Sequence, residues 1–249
     1  MRSTTTLAAL CAATALALTA CGSDADGNKA GSGAPKASTP AGIAGLTGPQ
    51  ISDKAIKATK STSALTVDLD GIVDGGAMKY HMSSDSKGEC VGTMSMGGEG
   101  SVRLIKTGGT AYMKYDAAFW REQGGEDGEA AAKMIGDRWT KADASGADAK
   151  DLTGACDLDQ LLAGFVSGND LARKGKPATV DGQPAITVVE KDGDETYTMY
   201  VATEGKPYLL KLVTKGGKEP GTIRFSDFDR PVDAKAPTGD IVDLDNLGG

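Results

Sequence analysis

The 249 residues carry 27 Lys and Arg against 34 Asp and Glu, a formal charge of −7, with a single His and only 5% aromatic residues. The acidic balance, with no basic stripe or aromatic–basic platform along the chain, excludes nucleic-acid binding. It argues equally against electrostatic docking on anionic lipid headgroups.

Met1-Arg2 and the apolar run Leu7 to Ala17 read as the n- and h-regions of an export signal, too short and too rich in Ala and Thr to span a bilayer. Leu18-Thr19-Ala20-Cys21 resembles the lipobox of bacterial lipoproteins. That resemblance implies cleavage after residue 20 and attachment of a diacylglycerol, with palmitate, to Cys21. Loss of Arg2 then takes the charge from −7 to −8. Residues 22 to about 45 are Gly, Ser, Ala and Pro-rich and cannot build a core, so they read as a disordered tether. As a flexible coil it spans roughly 25–30 Å. The expected layout is a signal peptide at 1–20, a lipidated Cys and tether at 21–45, and a single domain at 46–249. The expected location is the extracytoplasmic face of the cell membrane, held by the lipid.

After residue 46 the elements come in order. Ile51, Ala55, Ile56 and Thr59 recur at helical spacing behind Pro49. The period then switches to two: Leu65, Val67 and Leu69, then Met78, Tyr80 and Met82, with Gly75-Gly76 as the hairpin turn. Strands follow near 89–96, 101–107 and 110–115, turning at Gly97-Gly98 and Gly108-Gly109. Phe119 and Trp120 open a polar middle region in which Ala130, Ala131, Met134 and Ile135 have helical spacing. A second helix is expected from Asp157 to about Val166, with Asp157 and Gln160 as a capping box and Gly168 as its stop. Its apolar stripe is Leu158, Leu161, Leu162, Phe165 and Val166. Strands resume near 176–181, 184–191, 195–202, 207–214 and 221–227, with turns at Asp181-Gly182, Asp192-Gly193 and Glu204-Gly205. Two groups of about five strands flanking helices predict an α+β fold: one curved antiparallel sheet, a half-barrel, with helices packed on its concave face.

With Cys11 in the signal and Cys21 lipidated, Cys90 and Cys156 remain. In an oxidising envelope they make up one disulfide, which would pin the second helix to the sheet. Two free thiols and a metal pair are the alternatives, though a metal site needs more soft ligands than this sequence offers.

Several stretches together resemble the mycobacterial lipid-binding lipoproteins of the LppX/LprG type and, more distantly, the LolA-like lipoprotein carriers. They are Gly108 to Tyr115 with Phe119-Trp120, Thr179 to Val188, Tyr200 to Leu210 and Phe225 to Val232. The resemblance covers most of residues 46–245 and implies a half-barrel with an apolar cavity for acyl chains. The lean core, with many Ala, Gly and Thr at inward positions, leaves room for a small or collapsed cavity instead.

No enzyme is expected. His81 is the only base for a Ser–His–acid arrangement, and its alternation with Tyr80 and Met82 points it off their face. No Gly-x-Ser-x-Gly elbow, calcium loop or phosphate-binding Gly-rich loop occurs. No cofactor and no metal are expected. Seven methionines survive signal cleavage, five of them at Met78, Met82, Met94, Met96 and Met113. Pliable thioethers suit surfaces that accept varied apolar ligands, and they fill irregular cores equally well. With Leu65, Val67, Leu69, Leu161, Leu162 and Phe165 they are the candidate lining of a cavity for a lipid or other apolar ligand. The alternative is a ligandless envelope accessory that acts through a protein partner the sequence does not name.

Overall fold

The computed structural model describes residues 42–123, 128–146, 149–166 and 170–246. The expected signal peptide, Cys21, nearly all of the tether and the Gly168 stop lie outside them. Ile43 is already buried against the core, so packing begins ahead of the expected boundary at residue 46.

The first helix, α1 (Gly48–Lys60), starts on a full capping box: Thr47 and Gln50 each hydrogen-bond the other's backbone N–H, with Pro49 in the first turn. Five strands follow as an antiparallel meander: β1 (Ala64–Val73), β2 (Gly76–Asp85), β3 (Cys90–Met96), β4 (Gly100–Thr107) and β5 (Thr110–Tyr115). Two short helices, α2 (Ala117–Gln123) and α3 (Gly128–Ile135), lead to β6 (Trp139–Asp143) beside β5. Then come α4 (Lys150–Thr153), a 3-10 turn over Gly154–Cys156 and α5 (Leu158–Leu161). A second meander comprises β7 (Arg173–Val180), β8 (Gln183–Asp192), β9 (Glu195–Ala202), β10 (Leu209–Lys215) and β11 (Gly221–Ser226), and β12 (Ile241–Asp243) closes the described chain.

All twelve strands form one curled sheet in the order β12-β6-β5-β4-β3-β2-β1-β11-β10-β9-β8-β7. The two meanders fuse where β1 meets β11, from Thr66 opposite Ser226 to Gly71 opposite Gly221. This is the expected half-barrel, with two strands the sequence pattern did not show. β6 is too short and too mixed to display a period, and β12 pairs with it in parallel after a long excursion from mid-sheet.

Two turns sit one residue away from their expected places. The β1–β2 hairpin turns at Asp74-Gly75, both at positive φ, rather than Gly75-Gly76. The β8–β9 hairpin turns at Gly193-Asp194, with Asp192 paired to Glu195. In the first case Asp tolerates the left-handed region well enough to share a type I′ turn with Gly.

The helix expected over 157–166 is a single turn, α5. Asp157 caps it as expected, accepting from the N–H groups of Asp159 and Gln160, but the Gln160 amide returns to the Asp157 carboxylate and not to its backbone. The segment leaves helix at Leu162, just ahead of Gly164, a poor helix former. Phe165 instead lies edge-on against Phe225, with ring centroids 5.4 Å apart, and Val166 is exposed.

Cys90 and Cys156 are joined, with Cα atoms 5.3 Å apart, so the bridge ties the sheet to the 154–162 segment. α1 packs over β7–β10 on the same side, with Ile51 and Ala55 fully buried. At the same end of the strands as the disulfide, the chain turns sharply after β11. Asp229, at φ +59°, accepts hydrogen bonds from the Ser63 N–H and hydroxyl through Oδ1, and from Lys206 Nζ and Tyr208 OH through Oδ2. One carboxylate thereby joins the entry to β1, the β9–β10 loop and the exit of β11.

The bridge closes a loop with a sequence separation of 66, so replacing both cysteines by Ala should lower unfolding free energy by about 4 kcal/mol in the chain-entropy description. Urea titration reads this directly, and an unchanged midpoint would contradict it. The Asp229 carboxyl is held below the usual carboxylate range, first by the Ser63 N–H, then by Lys206 and Tyr208. A depressed carboxylate stabilises the fold fully above the unfolded value of about 3.9 and loses that contribution as pH falls through the folded value. Asp229→Asn should therefore lower stability at neutral pH, by about 1 kcal/mol given its partial exposure, and flatten the stability loss below about pH 4. Urea midpoints measured from neutral to acid pH test both parts.

Candidate functional site

Antiparallel register places directly opposed residues on one face of a sheet. Starting from Leu65, Val67 and Leu69 on β1, it carries the concave face across strand after strand. On β2 the partners are Ser84, Met82 and Tyr80, with Met78 opposite Gly71. On β3 they are Cys90, Gly92, Met94 and Met96. Val102 and Leu104 on β4 lead to Tyr115 and Met113 on β5. In the other direction Phe225 and Ile223 on β11 lead to Leu212 on β10 and Met199 on β9. The strand-borne candidates, five methionines among them, thus share one surface.

That surface is closed at one end and open at the other. The rows of Leu65 and Val67 lie under the disulfide-pinned segment; Leu65, Val67, Met82, Met113 and Leu162 are buried in the core. Leu69, Met78, Met94, Leu161 and Phe165 are half-buried and pack against that core from the open side. Met96 shares the face but stands at its margin, 44% exposed and outside the packed cluster. The candidates therefore split into a filled floor and an accessible slope.

Close backbone approach shapes this floor. A Cβ on Gly92 would lie 2.1 Å from the His81 carbonyl oxygen and 2.8 Å from Met82 Sδ, so only Gly lets the Met82 thioether settle there. Gly71 faces Gly221 across the β1–β11 seam, where a Cβ on Gly71 would meet the Gly221 Cα at 2.8 Å. Removing both side chains opens a cleft of about 690 Å³ at the strand ends, bordered by Leu69, Ile223, Tyr197 and Thr214. This falls within the roughly 300–1,000 Å³ typical of small-molecule sites. The cleft is open to solvent, not the enclosed cavity expected from the pattern.

Its rim is mostly acidic, with Asp194, Glu195 and Glu219 against Lys218. The Tyr197 hydroxyl donates to Glu195 and is pushed up to about 12 by that bond, then by burial. Tyr80, buried between Met78 and Met82, donates to the Ala155 carbonyl at 2.9 Å and anchors the 154–156 turn over the floor. Burial raises its hydroxyl well above the ordinary tyrosine range. Tyr80, Ile223, Leu212 and Phe225 belong to the face and were not among the candidates. Tyr80 was readable from its parity with Met78 and Met82; the β10 and β11 residues were not, because their place beside β1 is a long-range pairing. His81 lies on the opposite, convex face, 2.5 Å from the Asp68 carboxylate. The described residues hold no group of three or more His, Cys, Asp or Glu placed to bind a metal, and no helix among them is long and apolar enough to cross a membrane.

Gly92→Ala should destabilise the domain by about 2 kcal/mol, within the 1–3 kcal/mol of a forced core expansion, since the obstructing atom is backbone. Thermal unfolding of the variant measures this; a loss below half that size would mean the strands can part without cost.

No family model matches the chain, and no curated protein matches it. Among solved structures, LprF from Mycobacterium bovis superposes with a TM-score of 0.54 at 15% identity, covering 77% of this chain and 97% of that one. Lipoprotein LppX from Mycobacterium tuberculosis aligns with a TM-score of 0.47 at 16% identity, covering 74% and 96%. The match to the first of these spans nearly its whole length, and the chain has an LppX/LprG-like fold.

Proposed function

We propose that this chain is a lipoprotein tethered through Cys21 to the extracytoplasmic face of the cell membrane, and that its concave face holds a lipid or similar apolar ligand. The observation that carries the reading is the half-buried slope. Leu69 and Ile223 border the open cleft, and Met78, Met94 and Leu212, half-buried on the same face, continue the apolar surface beside it above a floor that is already packed. A monomer leaves so large an apolar hollow uncovered chiefly where something apolar binds. Flexible thioethers at two of these positions fit chains of varied shape. The lipobox and the Gly/Ser-rich tether supply the anchoring half of the proposal.

One observation favours the second reading, a ligandless accessory acting through a protein partner. Five of the eleven candidates are closed into the core, so no enclosed acyl-chain tunnel runs through them. A partner segment laid into the open cleft would use the same slope.

Native mass spectrometry of the mature chain purified from a lipid-rich host separates the two. A bound mass in the lipid range is expected, lost on denaturation and lost in a folded Met94→Lys variant. Met94 is the position to change because it is half-exposed; a charge at the buried Leu162 would unfold the protein and mean nothing. A bare protein mass from a folded, disulfide-bonded sample would overturn the lipid reading.

A further inference from the structure

We propose that the convex face of the sheet docks on a surface of anionic lipid headgroups. The same register that gathers apolar residues on one face gathers cations on the other. One cross-strand row runs from Lys211 and Arg224 through the Asp68–His81 pair to Arg103 and Lys114. With strands about 4.8 Å apart it extends roughly 30 Å across the sheet. It sets four cations against the single carboxylate of Asp68 in a chain whose net charge is −7.

Most of this charge is uncommitted. Arg103 and Arg224 are exposed, and neither they nor Lys211 has a carboxylate partner among the described residues. Lys114 reaches Asp137 at 3.7 Å. Two of the cations are held against aromatic faces: Lys211 Nζ lies 4.0 Å from the Tyr200 ring centroid and Arg103 Cζ 5.6 Å from that of Trp139. Cations seated on half-buried Trp and Tyr at a wide, shallow surface are the chemistry of a membrane interface. Three of the row's cations lie in two open depressions, Arg224 beside Asp68 and Asp70 in one and Arg103 with Lys114 beside Asp116 and Asp137 in the other, and the carboxylates in each disfavour a single small anion. The choice of lipid over an acidic protein rests on the anchoring proposed above: a tether spanning roughly 25–30 Å keeps the domain within reach of a bilayer at all times.

Net negative charge does not oppose such contact. Repulsion between the acidic mature chain and an anionic surface is screened beyond about 10 Å at 0.1 M salt, and within that distance the facing row dominates. The acidic composition, read along the chain, argued against headgroup docking; the sheet register separates the charges by face and reverses that local balance.

Vesicle flotation of the mature chain carrying Cys21→Ser, so that no lipid is attached, tests the surface alone. Binding is expected to vesicles of phosphatidylcholine mixed with phosphatidylglycerol and not to phosphatidylcholine by itself. It should weaken roughly fivefold for each cation neutralised, and more for each one reversed. It should also vanish at 1 M salt, where the Debye length falls to about 3 Å. Arg103→Glu/Lys211→Glu/Arg224→Glu should abolish binding, while Lys57→Glu, on the exposed side of α1, leaves it unchanged. If the triple variant does not fold, single Arg103→Glu and Arg224→Glu, both at exposed positions, give the same reading. Absent or charge-independent vesicle binding overturns the proposal, as does capture of polyglutamate without vesicles, which would assign the face to an acidic protein. Ligand retention in the Met94→Lys comparison is measured separately, so failure here leaves the concave-face reading standing or falling on its own result.

Discussion

The pairing of β1 with β11 is the constraint on which the architecture depends. Each meander forms from local hairpins, but a five-strand ribbon with one apolar face is incomplete by itself. Joining Thr66–Gly71 to Gly221–Ser226 turns two ribbons into one twelve-strand sheet and sets the row of Leu65, Val67 and Leu69 beside Phe225 and Ile223. The join brings together residues about 150 positions apart, so its loop-closure entropy is met only because a large apolar face is buried in return. Glycine at both Gly71 and Gly221 lets the backbones close at the end of this seam, and the same missing side chains leave the cleft there.

From that seam the covering elements follow a consistent logic. A curled sheet needs something on its concave side, and two unequal pieces provide it: the capped helix α1 over β7–β10, and the disulfide-held 154–162 segment over β2 and β3. The second piece has only one helical turn, too short to be stable in isolation. Cys156 and the Tyr80 hydroxyl hold it in place instead. Neither piece extends over the strand ends near Gly71 and Gly221, and the hollow stays open there. The open part of the concave face is the part that these two pieces do not reach.

Apart from the acidic rim of that hollow, polar chemistry gathers at two other places. Asp229 gathers four donors at the elbow after β11, where Phe228 also stacks on Tyr208 with ring centroids 4.0 Å apart. The cationic row occupies the solvent side of the sheet. A single alternation along each strand thus separates three roles: apolar contact inside, charge outside and a polar latch at the exit.

Much of this was legible in the sequence. Period-two alternation in the first two strands and turn dipeptides between the others marked ten of the twelve strands, and the shared parity of Met78 with Met82 and of Met94 with Met96 placed each pair on one face, because side-chain direction in a strand is a local property. The two cysteines left once Cys11 and Cys21 are assigned to the expected signal and lipobox pointed to their bridge. Tertiary structure decided the rest. Whether a methionine is floor or slope depends on which neighbour covers it, so Met82 and Met94 could not be told apart by spacing. The helix expected over 157–166 gave way after one turn to tertiary contacts such as that of Phe165 with Phe225, and β12 exists only because β6 offered it an edge. The gathering of Lys211, Arg224 and Arg103 into one row was equally invisible along the chain, since adjacency across a sheet is set by register between strands distant in sequence, and no local pattern records it.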